Sequence, residues 1–256
     1  MAAVLARYNR LFASDGRCLE VAVDHGLSGQ APAAGNMRRV IGTLVDAGPD
    51  AVQLSPGEAP LLQLFPGPDK PALVMRTDVT TAHYSQLVED AVGRAVRLDA
   101  ACVVASLLAA PDEPELERAC LRNVARLKAD CEPAGMPLLL AVASGDRALE
   151  STLPLVRQAV EIGADIVAVT APGEVADYHR VIEMAGDRPV LAREEGRPAE
   201  PELLRRAEEL IRQGAAGLVY AASVTGHQSP VTMTQALMAV VHGAMSADEA
   251  LLALGD

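Results

Sequence analysis

Short, nearly continuous apolar runs alternate along the chain with longer amphipathic stretches, and this alternation occurs eight times. The apolar runs are rich in Val, Leu and Ala, and they lack the strict polar–apolar alternation of a half-exposed strand. Continuous apolar runs are typical of parallel strands that are buried on both faces. We therefore predict eight buried strands, at residues 18–26, 50–55, 72–78, 100–106, 137–144, 165–171, 189–195 and 217–223.

Several of these strands are entered through the same kind of phrase, in which a helix ends at Gly or Asp and a small residue precedes the strand. Examples are "VDAGPDAVQL", "VEIGADIVAV" and "IRQGAAGLVY". Repetition of this unit predicts an α/β fold of the (β/α)8 TIM barrel type, with residues 1–256 as a single domain. A doubly wound sheet is the alternative, but it would usually carry a G-x-G-x-x-G turn after its first strand, which this sequence lacks.

Function in such a barrel is concentrated at the carboxyl ends of the strands, so the last residues of each predicted strand are candidate site residues. They form a polar set of mixed charge on an apolar scaffold, and buried charges are costly unless they pair or serve a purpose. We predict that the catalytic groups are Asp24, His25, Asp78 and Glu194. We predict that the substrate-binding residues are Gln53, Ser55, Arg76, Ser144, Thr170, Arg193, Glu195, Tyr220, Ser223 and His227.

The ordered series of strand phrases resembles the class I aldolase family of the DeoC/LacD/DhnA-like group, which includes archaeal-type fructose-bisphosphate aldolase and 2-amino-3,7-dideoxy-D-threo-hept-6-ulosonate synthase. "GRCLEVAVDHGLS" is similar to the opening strand of the family, "AGPDAVQLSPG" to the second, "GMPLLLAV" to the fifth and "GADIVAV" to the sixth. "RPVLAREEG" and "QGAAGLVYAASV" are similar to the seventh and eighth. The resemblance covers most of the chain and implies a TIM barrel, a small-molecule substrate and a homo-oligomer.

The resemblance also implies a site, and this sequence departs from it at the reacting centre. The Asp of "DHG" lines the substrate pocket in the family, and here that match is intact as Asp24. The sixth strand of the family carries a lysine that forms an iminium with the substrate, and here the position is Ala168. Alanine cannot supply that nucleophile. The two lysines of the chain, Lys70 and Lys128, fall in a turn before the third strand and in a charged helix, so we expect neither to replace it.

Other family features are also absent from the sequence. The fourth predicted strand ends without the tyrosine or histidine that often acts there as an acid or base. The strands that bind phosphate in the family end in "REEG" and "YAASV" here. The carboxylates of Glu194 and Glu195 would repel a phosphate unless Arg193 and Arg76 neutralise them. A phosphorylated substrate at the usual place is therefore not expected.

The composition of the chain limits the classes of molecule that we expect it to bind. The formal net charge is −12, no basic run occurs, and the aromatic residues include two Phe and no Trp, so we expect neither nucleic acid nor a membrane as partner. The first ten residues lack the pattern of a secretory signal, and we expect a cytoplasmic location. The four cysteines are scattered without a C-x-x-C pair, which favours buried thiols over a disulfide or zinc site. We expect no cofactor.

Two functions remain open. The first is an enzyme of lyase, aldolase-like or proton-transfer type that acts on a small carbonyl or polyol metabolite without a Schiff base. Within this hypothesis a divalent metal could replace the lysine as electron sink, although no His-x-His spacing supports one. The second is a non-catalytic aldolase homologue that binds a small molecule or acts as a scaffold. The lost nucleophile favours the second function, and the charges at the seventh strand favour the first.

Overall fold

The computed structural model describes residues 2–28, 36–67, 70–146, 148–194 and 196–255. Eight parallel strands close into a barrel in the order β1, β2, β3, β6, β7, β8, β9, β10 and back to β1. They are β1 (Cys18–Ala22), β2 (Ala51–Leu54), β3 (Ala72–Arg76), β6 (Cys102–Ala109), β7 (Leu138–Ser144), β8 (Ile166–Thr170), β9 (Val190–Arg193) and β10 (Gly217–Tyr220). Each predicted strand overlaps one of them, and the TIM barrel prediction is confirmed.

Helices lie between the strands and cover the outside of the barrel. Their buried residues recur at intervals of three and four, as in α8, where one apolar stripe packs on the strands. The helices are α1 (Ala2–Leu11), α2 (Met37–Ala47), α3 (Ala59–Leu62), α4 (Ala91–Arg97), α5 (Pro114–Ala134), α6 (Leu149–Ile162), α7 (His179–Ala185), α8 (Glu200–Arg212), α9 (Ala222–Thr225), α10 (Pro230–Val241) and α11 (Ala247–Gly255), with a 3-10 turn at His25–Ser28. Within the described ranges, no helix is both long and apolar enough to cross a bilayer.

Two elements lie outside the eightfold pattern and were not predicted. In α1, Leu11 is fully buried against the interior side chains of the barrel, and Tyr8 and Phe12 pack beside it. Helix α1 therefore covers the amino end of the barrel. At the opposite end, β4 (Asp78–Thr80) and β5 (Ser85–Leu87) pair as an antiparallel hairpin directly after β3. This hairpin forms one side of the mouth of the barrel.

The barrel interior is filled by layers of four side chains that come from alternate strands. The strand registers, with the stagger of about one residue per strand that a barrel of this type requires, define these layers. From the amino end upward, the first layer is Ala51, Cys102, Ile166 and Gly217, and the second is Glu20, Val74, Leu139 and Leu191. The third is Gln53, Val104, Ala168 and Val219, and the fourth is Ala22, Arg76, Ala141 and Arg193. The polar side chains of the fourth layer open into the mouth.

Gly217 shows how closely the lowest layer is packed. A Cβ at this position would lie 2.0 Å from the carbonyl oxygen of Cys18 and 2.9 Å from the side chain of Leu191. Because the first contact is with backbone, no side-chain rotation could relieve it. The glycine therefore allows β10 to approach β1.

Candidate active site

A cavity of about 650 Å³ opens at the carboxyl ends of the barrel strands. This is the end at which TIM-barrel enzymes carry out their chemistry. Its floor is formed by the small side chains of Ala22 and Ala141 and by Val219, and its walls carry the charged residues of the site. Seven of the predicted site residues line it, namely Asp24, Gln53, Arg76, Asp78, Ser144, Arg193 and Glu194.

Asp24 and Arg76 form the central ion pair of the cavity. Arg76 Nε donates to Asp24 Oδ2 at 2.6 Å, and Gln53 Nε2 donates to the same oxygen at 2.7 Å. Both charged side chains are largely buried, at 11% and 7% exposure. Burial by itself would lower the pKa of Arg76, but the charges of Asp24 and Asp78 outweigh it and raise that pKa. The guanidinium is therefore a fixed positive charge in the wall.

Asp78 anchors the other side of Arg76. Arg76 Nη1 lies 3.3 Å from Asp78 Oδ1, while Asp78 Oδ2 accepts the Thr80 hydroxyl at 2.5 Å and the Ser106 amide at 3.1 Å. Thr80 is in turn 2.8 Å from Ser85 across the hairpin. The carboxylate of Asp78 thus joins the hairpin to β6 and fixes the position of the guanidinium.

The charged residues at the end of β9 include an ion pair with a neighbouring helix. Glu194 is paired with Arg206 of α8, whose Nε lies 3.0 Å from Glu194 Oε2. The same guanidinium donates to the carbonyls of Pro172 at 3.0 Å and Gly173 at 2.8 Å. Arg206, which was not among the predicted site residues, therefore pairs with this carboxylate. Arg193 itself lines the cavity.

Ser144, one of these seven residues, and Thr170 end the neighbouring strands β7 and β8. Ser144 lines the cavity, is 8% exposed and lies 3.0 Å from the hydroxyl of Thr152 on α6. Thr170 ends β8 on the interior side, although it is not part of the cavity wall, and it is partly exposed. Ser144 is thus held by the helix that follows its own strand.

Four predicted residues are not brought into the cavity. Ser55 closes a turn, with the Glu58 amide 3.3 Å from its hydroxyl. Tyr220 is fully buried on the outer face of β10, because its neighbour Val219 faces inward, and burial raises the pKa of its phenol. Ser223 and His227 line a second cavity of about 410 Å³ beside α8. His227 Nε2 lies there 2.9 Å from Glu200 Oε1.

Two predicted site groups cannot be placed. Glu195 lies outside the described residues. His25 begins the 3-10 turn after β1, and its side chain is outside the described part as well. The prediction that these groups serve the site stays a prediction.

Ala168 and the two lysines bear directly on the chemistry of the cavity. Ala168 is 1% exposed and faces the interior from β8, one layer below Arg76 and Arg193. Lys128 Nζ lies 3.3 Å from Asp165, which also accepts the Leu138 amide at the amino end of β7. Lys70 Nζ donates to Gln63 at 2.6 Å, just before β3 begins. Both lysines are thus at the end of the barrel opposite to the cavity.

Sequence reasoning missed one charged residue of the barrel interior. Glu20 on β1 has no exposed surface, and neither of its carboxyl oxygens has a hydrogen-bond partner within the described part of the chain. Burial, followed by the charge of Asp24, raises the pKa of Glu20 from 4.5 to about 8, and Arg76 and Arg193 offset part of this rise. The signal was present in the sequence as an acidic residue inside the apolar run "CLEVA".

The described residues contain no group of three or more His, Cys, Asp or Glu side chains placed to hold a metal ion. The cysteines are free and buried, as the scattered spacing predicted. The cavity places the carboxylates of Asp24, Asp78 and Glu194 and two guanidinium groups among small apolar side chains. Such a set can accept a proton and stabilise a developing negative charge on oxygen.

Comparison with known proteins shows which family model and which relatives match the chain. A family model described as DeoC/LacD family aldolase matches residues 18–227. The 2-amino-3,7-dideoxy-D-threo-hept-6-ulosonate synthase of Halobacterium salinarum is 29% identical and covers 98% of this chain and 96% of its own length. The class 1 fructose-bisphosphate aldolase of Thermoproteus tenax is 25% identical over 98% of this chain and 99% of its own length.

Solved structures show the same architecture. An archaeal fructose-1,6-bisphosphate aldolase "with the catalytic Lys covalently bound to the carbinolamine intermediate of the substrate" matches with a TM-score of 0.81 at 23% identity. The match covers 94% of this chain and 100% of that structure. At this identity the likeness establishes the fold.

Proposed function

We propose, on the premise that the chain belongs to the DeoC/LacD family of aldolases, that it is a lyase or proton-transfer enzyme that acts on a small carbonyl or polyol metabolite without a Schiff-base lysine. The observation that carries the proposal is the ion pair of Asp24 and Arg76 in the wall of the cavity. Both lysines of the chain are described, and neither lines that cavity.

The chemistry needs two kinds of group, and the cavity holds both. Carbon–carbon cleavage of a β-hydroxy carbonyl compound requires a base for the hydroxyl proton and a positive group for the enolate oxygen that develops. Proton transfer next to a carbonyl requires the same pair. Asp24 is the proposed base. Arg76 and Arg193 are the proposed positive groups, since preorganised cationic donors stabilise charge where it develops in a water-poor site.

Charge balance supports a neutral or weakly charged substrate. Asp24 and Asp78 carry two negative charges in the wall, which Arg76 and Arg193 balance. Glu194 is compensated separately by Arg206. A phosphate dianion would meet carboxylates on both sides of the mouth, whereas a carbonyl or hydroxyl group can hydrogen-bond to either kind of charge. Small carbonyl and polyol metabolites therefore fit better than phosphate esters.

The proposal is tested by solvent deuterium exchange. A panel of small ketoses, aldoses and 2-keto acids is incubated with the protein in deuterated buffer and followed by proton NMR. We expect enzyme-dependent exchange or cleavage with at least one compound, and a loss of about 100-fold or more in Asp24→Asn. Asp146→Asn is the matched control, because Asp146 is a fully exposed carboxylate near the same end of the barrel.

A second measurement addresses the lysine. Borohydride reduction in the presence of dihydroxyacetone phosphate or pyruvate, followed by mass spectrometry, should give no adduct. A stable adduct on Lys70 or Lys128 would contradict the proposal. Binding of a panel compound without exchange or cleavage would favour the non-catalytic homologue instead. Exchange that chelation abolishes and one divalent ion restores would favour a metal as electron sink.

A further inference from the structure

Glu20 occupies an unusual place for a carboxyl group. It shares its layer of the barrel with Val74, Leu139 and Leu191, all at most 1% exposed. Its oxygens have no hydrogen-bond partner among the described residues. A polar group in such a place destabilises the folded protein, because it has left water without gaining a hydrogen-bond partner. Glu20 therefore needs an explanation that packing does not give.

The groups above Glu20 belong to the candidate site. The next layer contains Ala168, and the layer above it contains Arg76 and Arg193 in the cavity wall. The interior ionisable groups that interact with Glu20 are Asp24 after β1, Arg76 on β3, Arg193 on β9, and the buried thiols of Cys18 on β1 and Cys102 on β6. Both thiols have strongly raised pKa values through burial and stay neutral. Among the described residues, the charges that act on Glu20 are therefore those of Asp24, Arg76 and Arg193.

The protonation state of Glu20 determines the net charge of the site. The cavity wall holds the carboxylates of Asp24, Asp78 and Glu194. With a neutral Glu20, the guanidinium groups of Arg76, Arg193 and Arg206 match these three charges in number. With an ionised Glu20, a fourth carboxylate acts on Arg76 and Arg193 from below. The site would then be net negative, and the positive field available to a substrate oxygen would be weakened.

We propose that Glu20 is a positioning residue of the site: a neutral carboxylic acid beneath the cavity floor that leaves Arg76 and Arg193 available to Asp24 and to the substrate oxyanion. Loss of its proton disables the site. This role rests on the proposed function. Glu20 itself does not line the cavity, so it acts through the two arginines and Asp24 rather than on the substrate.

Carboxyl ¹³C NMR of the ligand-free protein, labelled in Glu and Asp side chains, tests the proposal over pH 4 to 10. We expect one glutamate signal with a midpoint near pH 8, where Glu20 titrates. The Asp24 signal is assigned with Asp24→Asn. Its chemical shift should change a second time at the same midpoint, because Asp24 senses the charge that forms on Glu20. In Glu20→Gln the glutamate signal should be missing and the second step of Asp24 lost. Glu249→Gln is the control and should leave both in place, because Glu249 caps a surface helix.

Two results would overturn the inference: a Glu20 carboxyl that is already ionised at pH 6, or an Asp24 signal that is insensitive to the ionisation of Glu20. If Glu20→Gln does not fold, Glu20→Leu supplies the assignment, and the wild-type titration already decides between the outcomes. Because no ligand is used, a failure here leaves the proposed reaction untouched. Conversely, absence of turnover with normal titration would contradict the proposed function alone.

Discussion

Replacement of Glu20 by Gln should remove a large part of the pH dependence of stability between pH 5 and pH 8. Gln has the size of Glu and carries no charge, so the packing of the layer with Val74, Leu139 and Leu191 is retained. The native pKa of Glu20 is about 8, against 4.5 for an unfolded chain. The native state therefore binds a proton that the unfolded state releases over the interval between these values.

The sign and size of the change in the free energy of unfolding follow from the difference between these two pKa values. A raised native pKa of an acid gives stability that is complete below pH 4.5 and is lost as the pH rises toward 8. The whole effect amounts to about 5 kcal/mol, at roughly 1.4 kcal/mol per pH unit. Glu20→Gln lacks this loss. Between pH 5 and pH 8 the free energy of unfolding of the wild type should therefore fall by about 3.5 kcal/mol relative to the variant.

Urea denaturation at constant ionic strength, followed by circular dichroism at half-unit pH steps, measures this difference. The difference between variant and wild type cancels the titration of every group that does not interact with Glu20. Glu249→Gln serves as control and should give a flat difference over the same range, because hydrogen bonds from Ser246 lower the pKa of Glu249 below it. A flat difference for Glu20→Gln would show that Glu20 is ionised in the native protein and would refute the reasoning.

Two further predictions concern the frame of the barrel. Gly217→Ala should destabilise the protein by about 3 kcal/mol in urea denaturation, because its Cβ would lie 2.0 Å from a backbone oxygen. Gly57→Ala should be nearly neutral, because its Cβ would meet only the Ser55 hydroxyl, at the ordinary contact distance of 4.0 Å. His242 lies 2.8 Å from Asp15 and 3.0 Å from Asp50, and these carboxylates raise its pKa against the opposing effect of burial. The stability from this cluster is complete below pH 6.5 and is lost as the pH rises through the native pKa, so His242→Gln should lower Tm at pH 6 more than at pH 9. Equal losses at both pH values would contradict it.

The eightfold pattern of apolar runs predicted the barrel because each strand is buried on both faces, and a continuous apolar run is the direct consequence. Helix α1 and the β4–β5 hairpin were missed for the converse reason. Neither is a repeat of the strand–helix unit, and their stability comes from contacts with distant parts of the chain. Tyr8 and Phe12, for example, pack against interior side chains of the barrel as well as against each other.

The candidate site was predictable where a side chain ends a strand on the interior face. Asp24 and Arg76 met this condition. Tyr220 was predicted to face the cavity but lies on the outer face of its strand. Alternation along β10 places Val219 inward, so Tyr220 faces outward, and a shift of one residue in the assumed phase exchanges the two faces. The pair of Glu194 with Arg206 could not be predicted, because it depends on how α8 packs over the end of β9.

Ala168 and Glu20 are best understood together. A lysine at position 168 would enter the interior one layer above Glu20 and one layer below Arg76 and Arg193. Its ammonium would lie between the carboxyl of Glu20 below and two guanidinium groups above. An ion pair with Glu20 would favour the charged form of both groups and would oppose the effect of the two guanidinium groups, which lower the pKa of a nearby amine. A buried carboxyl in the second layer is therefore consistent with an alanine, rather than a nucleophilic lysine, in the third.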